Sequence, residues 1–392
     1  MHILILPSWY PIYPGDINGV FFREQALALA RHGHQVGVIT LNLRSLRQWR
    51  SVFTGRHGVQ YEIDAGIPTL RLHGTAWFPR LLPKASAWLW LRHGRRLFEQ
   101  YVAKYGKPDL IHVHSMLNAG VLAQDIQQRY RIPYVVTEHF TGYARGTLRP
   151  AQLRIAATVA RHAARRLGVS QPLCDLLQQQ LGAAAGIWEE MPNIVEQRFL
   201  ARPLARRVAP DENFRFVCVA LLTEKKGIHD LLQAFAKQFA TDAQVTLDIG
   251  GDGVERPRLE QLAAHLGIKD RVRFHGALSR DQVVELMEAA DAFVLASRYE
   301  TFGVVVIEAL ALGKPVIATR CGGPESIIRA QDGLLVPTRD INALAEAMQQ
   351  IRENAGCYQA DVIRADCASR YSEKAVVDRL TKIYQHVIYP HA

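Results

Sequence analysis

A chain of 392 residues is long enough for two domains of ordinary size, each with a core of its own, and 48% hydrophobic with 21% charged residues points to a soluble globular protein. The net charge of +10 is uneven: residues 1–200 carry 23 Lys and Arg against 12 Asp and Glu, and residues 201–392 carry 24 against 25, so the surplus lies in the first half. That asymmetry points to an anionic surface met by the first half, whether membrane headgroups, a pyrophosphate-linked lipid or nucleic acid.

The opening MHILILPSWYP has a short apolar run and no basic leader, which predicts a buried first strand and not a signal peptide. No segment has the apolar length of a membrane span. Strands are expected over 3–6, 36–40, 69–72, 110–112 and 134–137, and helices over 20–31, 86–105, 119–130, 151–166 and 171–181. The helix over 20–31 stops at Gly33. Arginine, proline and polar residues over 193–213 predict a linker. A second series follows, with strands over 214–220, 245–249, 272–274, 292–295 and 315–318 and helices over 228–239, 256–266, 281–289 and 303–312. Such alternation makes parallel sheets covered by helices: an α/β fold of two doubly wound, Rossmann-like domains facing a cleft, with ligands beyond the carboxyl ends of the strands. No fixed-period repeat is present. Cys174, Cys218, Cys321, Cys357 and Cys367 are scattered and odd in number with no C-x-x-C pair, so neither a disulfide framework nor a zinc site is expected, and a cytoplasmic location is the default.

The segment SRYETFGVVVIEALALGKPVIATRCGG over 297–323 carries most chemistry. A helix beginning near Gly303 puts Glu308 in its second turn and Glu300 in the loop before it. Orphan N–H groups of Phe302, Gly303 and Val304 at that helix start favour a phosphate. A carboxylate accepts paired hydrogen bonds from vicinal hydroxyls, so Glu300 suits a sugar ring and Glu308 a ribose diol. Lys226, between a strand and a helix, is placed for phosphates, with Lys225 beside it as a second point charge. Gly19, at the start of the helix after the first strand, lets a diphosphate approach the backbone or simply caps that helix. Gly250-Gly251-Asp252-Gly253 is a tight strand-end loop without the third glycine of a dinucleotide fingerprint, and Phe274-His275-Gly276 either lines a base pocket or forms a structural turn.

These pieces, in this order, resemble the retaining glycosyltransferases of family GT4, which have the GT-B fold. The resemblance rests on the E-x7-E pair Glu300 and Glu308, GKPVIAT over 313–319, Gly19, Gly33-His34, TEH over 137–139, KKG over 225–227, GGDG over 250–253 and DGLLVP over 332–337. It implies an acceptor-binding domain over 1–197, a nucleotide-sugar domain over 212–371, and a final helix near 372–392 packing back on the first. It also implies hexosyl transfer from a nucleotide diphosphate sugar, UDP-linked or, as the alternative, GDP-mannose. The acceptor is a hydroxyl of a saccharide or lipid-linked saccharide of a bacterial surface polysaccharide. Glu300, His139 and Lys226 become the expected catalytic residues; Gly19, Lys225, Lys226, Gly251, His275, Phe302, Gly303 and Glu308 the donor-binding ones. No metal and no cofactor beyond the donor are expected, since no D-x-D motif stands at a strand end. The family's phosphate-binding arginine, five residues before Lys226, is Leu221 here.

Arginines interleaved with Trp49, Trp88 and Trp90 over 43–53 and 78–96 fit a surface dipping into anionic lipid, or ordinary packing. Two readings of another class stay open: a basic nucleic-acid-binding protein, against which no reading motif joins the arginines, and a non-catalytic nucleotide-sugar binder.

Overall fold

Strands of Ile, Leu and Val are buried on both faces when helices cover both sides of a parallel sheet, and β1 (His2–Pro7) is buried along its whole length. The computed structural model describes residues 1–12, 16, 18–45, 57–76, 83–204 and 213–390. They fold into two units, Met1–Pro192 with Val376–Ala392, and Asn193–Ala375. Trp49, most of 43–53 and the start of 78–96 lie outside the described residues.

The sheet of the first unit contains β1, β2 (Gln35–Ser45), β3 (Gly58–Asp64), β4 (Ile67–Ala76), β5 (Leu110–His114), β6 (Tyr134–Glu138), β7 (Arg165–Gly168) and β8 (Glu189–Glu190). Their order is β3-β4-β2-β1-β5-β6-β7-β8, so the connection reverses direction across β1 and β5. All described pairings are parallel except β3 with β4. That hairpin was not expected from sequence; Ala65 and Gly66, at φ 48° and 91°, supply the paired left-handed residues that a two-residue hairpin turn requires.

The helix expected over 151–166 ends earlier, at Pro150–His162, because Arg166 turns back to donate from Nε to Ala160 O and from Nη2 to Ala163 O, each at 2.7 Å. Those bonds satisfy two terminal carbonyls and free Arg165–Gly168 to join the sheet. The last helix, Glu373–Ile388, belongs to the first unit from Val376 onward, and its buried Tyr384 hydroxyl lies 2.6 Å from His112 Nδ1.

The second unit holds β9 (Phe214–Val219), β10 (Val245–Gly250), β11 (Val272–Gly276), β12 (Ala292–Leu295), β13 (Val316–Thr319) and β14 (Gly333–Val336), all parallel, in the order β11-β10-β9-β12-β13-β14. Here the order reverses between β9 and β12. Phe216, Phe235, Phe239 and Met348 bury the helices Ile228–Phe239 and Ile341–Glu353 against this sheet, each large side chain contributing about 1.5–3 kcal/mol. Doubly wound sheets bind ligands where the strand order reverses. Each unit therefore has one such place.

No helix among the described residues is long and apolar enough to cross a membrane. The helix Pro83–Tyr105 buries Trp90 at 7% exposure and leaves Trp88 at 53%, with the Arg92 guanidinium 5.5 Å from the Trp88 ring centre. Of these two tryptophans, only Trp88 remains for a surface partner.

Candidate functional site

Lys226 ends a short turn, Glu224–Lys226, after β9, and Gly227 follows at φ 64° as the cap of Ile228–Phe239. A Cβ on Gly227 would stand 2.0 Å from the Ala296 carbonyl oxygen, so only glycine lets this turn rest on the loop after β12. That contact delivers the ammonium: Lys226 Nζ lies 2.5 Å from Glu300 Oε1, which also accepts from Ser297 Oγ at 2.8 Å. The backbone N–H of Arg298 donates to Lys225 O at 2.8 Å and fastens the same two loops. Burial works against the charge on Lys226, but the Glu300 carboxylate more than offsets it and holds the ammonium above its ordinary range.

Glu300 is fixed from its other side by the loop after β13. Its N–H donates to Cys321 O at 3.1 Å and its carbonyl accepts from Gly323 N at 2.8 Å. A Cβ on Gly323 would come within 2.1 Å of Phe302 O. Phe302 is buried with its ring 5.8 Å from that of Tyr371, so only its backbone is left for a ligand. Gly303, at φ 100°, caps the helix Val304–Ala311 without any side-chain cap. Sequence reasoning names Lys226 and Glu300 separately, for the diphosphate and the sugar, and the fold brings them into contact; it misses Ser297, whose one signal is its spacing three residues before Glu300.

Glu308 occupies a different environment. It is 1% exposed, and Oε1 is ion-paired with the guanidinium of Arg280, which also holds Glu196 at 2.5 Å. Burial raises its carboxyl above the usual range while Arg280 opposes that rise. Its second oxygen, Oε2, is buried with no hydrogen-bond partner among the described residues, and an orphan acceptor of this kind calls for a ligand or water. Neither Arg280 nor Glu196 carries a local sequence signal.

Gly251 sits at φ 120°, its N–H donating to Gly276 O at 2.8 Å, and a Cβ there would lie 1.9 Å from Ala220 O. His275 Nε2 is 2.6 Å from Asp248 Oδ1, which ties the ring to β10. Leu221, where the resemblance calls for arginine, is 49% exposed.

In the first unit Gly19 caps Val20–Arg31 at φ 74°, and a Cβ would meet Trp9 O at 3.0 Å. His139 follows β6, is 6% exposed, and shares a 3.1 Å hydrogen bond between its Nε2 and His114 Nδ1. Buried Glu138, also missed from sequence, accepts from the N–H groups of His139, Phe140 and Met116 at 2.8, 2.9 and 2.9 Å. It thereby stitches the end of β6 to the turn after β5 and fixes the backbone that carries His139. Phe22 lies against both His114 and His139, with ring centres 4.6 and 4.7 Å away. Burial drives His114 and His139 well below the ordinary imidazole range, so both are neutral at pH 7. No group of three or more metal-ligating side chains occurs among the described residues.

Two family models match the chain: a glycosyl transferase 4-like domain over residues 19–193 and glycosyl transferases group 1 over residues 204–366. Glycogen synthase of Mycobacterium tuberculosis is 28% identical, over 98% of this chain and 94% of that protein. The putative teichuronic acid biosynthesis glycosyltransferase TuaC of Bacillus subtilis is 29% identical, over 89% of this chain and 88% of its own. The crystal structure of Anabaena HepE in complex with UDP is similar in fold, with a TM-score of 0.72 at 22% identity over 97% of this chain and 99% of that one.

Proposed function

The chain belongs to the GT4-type glycosyltransferases with the GT-B fold, and from that premise we propose that it moves a hexosyl unit, with retention, from a nucleotide diphosphate sugar to an acceptor hydroxyl. The observation that carries this reading is the Lys226–Glu300–Ser297 cluster at the strand-order reversal of the second unit, beside the uncapped start of the helix Val304–Ala311.

Bond breaking leaves negative charge on the departing diphosphate and positive character on the sugar ring. Lys226 and the helix start neutralise the diphosphate; Glu300 holds sugar hydroxyls and stabilises the ring. The buried Oε2 of Glu308 accepts from the ribose diol. His139, as a neutral imidazole, hydrogen-bonds the transferred sugar. The bond from the anomeric carbon to the phosphate oxygen breaks as the bond to the acceptor oxygen forms on the same face. The acceptor proton passes to the leaving phosphate, and no metal is required.

UDP is favoured over GDP because HepE binds UDP. The likeness to TuaC, a putative teichuronic acid biosynthesis glycosyltransferase, supports an acceptor in bacterial polysaccharide synthesis; on our reading that acceptor is a lipid-linked saccharide or oligosaccharide met at the inner face of the membrane. The basic first half and exposed Trp88 would serve a peripheral contact there. Leu221 favours one second reading, a non-catalytic nucleotide-sugar binder. The deciding experiment is thermal stabilisation by a panel of nucleotides and nucleotide sugars, followed by product analysis with the best donor. Saturation at about a hundred times Kd adds roughly 2.7 kcal/mol. No response to any nucleotide sugar rejects the proposal, and binding without hydrolysis or transfer leaves the non-catalytic reading.

A further inference from the structure

We infer, resting on the assignment of Glu308 to the donor ribose above, that Arg280 is a positioning residue. Clasped by Glu196 and laid on the Phe199 ring, it turns the free oxygen Oε2 of Glu308 to the ribose diol, and with Glu196 it sets the preference for ribonucleotides over their 2′-deoxy forms.

Arg280 is the first residue of the helix Arg280–Glu288, whose start is fixed by a reciprocal cap: Ser279 Oγ accepts from Gln282 N at 3.3 Å, and Gln282 Oε1 accepts from Ser279 N at 2.9 Å. A cation at a helix N-terminus opposes the helix dipole, and here two carboxylates offset that cost. Arg280 Nε donates to Glu196 Oε1 at 2.8 Å, while Nη2 reaches the same oxygen at 2.5 Å and pairs with Glu308 Oε1. The guanidinium carbon lies 5.3 Å from the centre of the buried Phe199 ring. Glu196 is held in turn through Oε2 by Arg198 Nε at 2.7 Å, and Arg198 Nη1 donates to Asp281 Oδ1 at 2.5 Å.

These contacts fix how Glu308 presents itself. With Oε1 taken, the carboxylate cannot turn over without breaking the ion pair, and Oε2 is left as the oxygen with no hydrogen-bond partner among the described residues. One carboxylate oxygen carries two lone pairs, enough for both hydroxyls of a vicinal diol. Stability alone gives little reason for such a set, since packed apolar side chains often replace buried ion pairs without loss. An apolar side chain cannot supply direction. The planar guanidinium does, because its N–H groups leave at fixed angles and two of them are held by Glu196.

Calorimetric titration of the full chain with UDP and GDP, each against its 2′-deoxy form, reads the ribose contact. The wild type should prefer the ribonucleotide about ten- to hundredfold, the range for one hydrogen bond to a charged acceptor. Arg280→Lys keeps the charge and loses the fork, and Glu196→Gln keeps the shape and loses the charge that clasps it. In each variant the preference should fall towards unity while the affinity for the 2′-deoxy form stays that of the wild type; a merely structural role would weaken both nucleotides alike. In turnover, the donor KM should rise with kcat unchanged, the mark of a contact made equally before and in the transition state. Should Arg280→Lys fail to fold, Glu196→Gln decides, since it leaves Arg280 paired with Glu308. The proposal is overturned if the variants that fold keep the wild-type preference. Equal binding of ribo and deoxy forms by the wild type rejects this role and keeps the donor site, whereas silence towards every nucleotide rejects the transferase reading and this role with it.

Discussion

Lys226 Nζ rests 2.5 Å from Glu300 Oε1, so the ammonium assigned to the diphosphate and the carboxylate assigned to the sugar neutralise each other in the free protein. Both side chains are less than one-fifth exposed, at 17% and 13%. A donor that places its diphosphate beside Lys226 and its sugar beside Glu300 exchanges one ion pair for two polar contacts, and neither group is left buried alone.

Replacing Lys226 with alanine should lower kcat/KM about 10²–10³-fold, the range for removing one preorganised charge-stabilising donor. It also leaves Glu300 unpaired, so Tm should fall. Lys226→Ala with Glu300→Gln should recover Tm and not turnover. Full activity of the single variant refutes the role.

Leu221→Arg should tighten UDP binding roughly tenfold, because a guanidinium fork at this exposed position adds charged hydrogen bonds to a phosphate. Stability should be unchanged, since Leu221 is half exposed and adds little to the core. Calorimetric titration with UDP checks both halves. An unchanged Kd means that the diphosphate does not reach Leu221.

Gly227 and Gly267 form a matched pair at φ 64° and 69°, yet a Cβ at Gly227 meets the Ala296 carbonyl and one at Gly267 meets nothing within 4 Å. Gly267→Ala should cost about 1–2 kcal/mol from backbone geometry alone. Gly227→Ala should cost distinctly more and also depress turnover, because Lys226 is carried by that turn. Equal denaturation midpoints would mean that the close approach is not what demands glycine.

Burial pushes the His112 imidazole down to about 3 and holds His114 and His139 well below their ordinary 6.5. The unfolded chain therefore binds protons below about 6.5 that the folded unit refuses, and each histidine removes up to about 1.4 kcal/mol per pH unit as pH falls from there towards its folded value. Their contribution is complete above that window. Imidazole resonances assigned by substitution should all still be neutral as pH falls through 6.5. Titration of any of the three near 6.5 contradicts neutral burial.

Excess chelator should leave transfer unchanged, since Lys226 and the helix start at Gly303 take the place of a cation. Loss of activity that Mg2+ or Mn2+ restores contradicts a metal-free reaction.

Two doubly wound α/β units and the GT-B fold were legible in the chain, because parallel strands buried on both faces leave apolar runs such as HILILP, and glycines at positive φ, such as Gly227 and Gly251, mark the turns between them. The motif residues Lys226 and Glu300 could be placed at strand ends for the same reason. Only tertiary structure brought Ser297 and Lys226 onto one Glu300 oxygen, set Arg280 and Glu196 against Glu308, and ran Tyr384 of the last helix to His112. Periodicity reports which face of an element is buried. A bond between residues 74 or 272 positions apart leaves no local pattern, because strand order and register alone decide it.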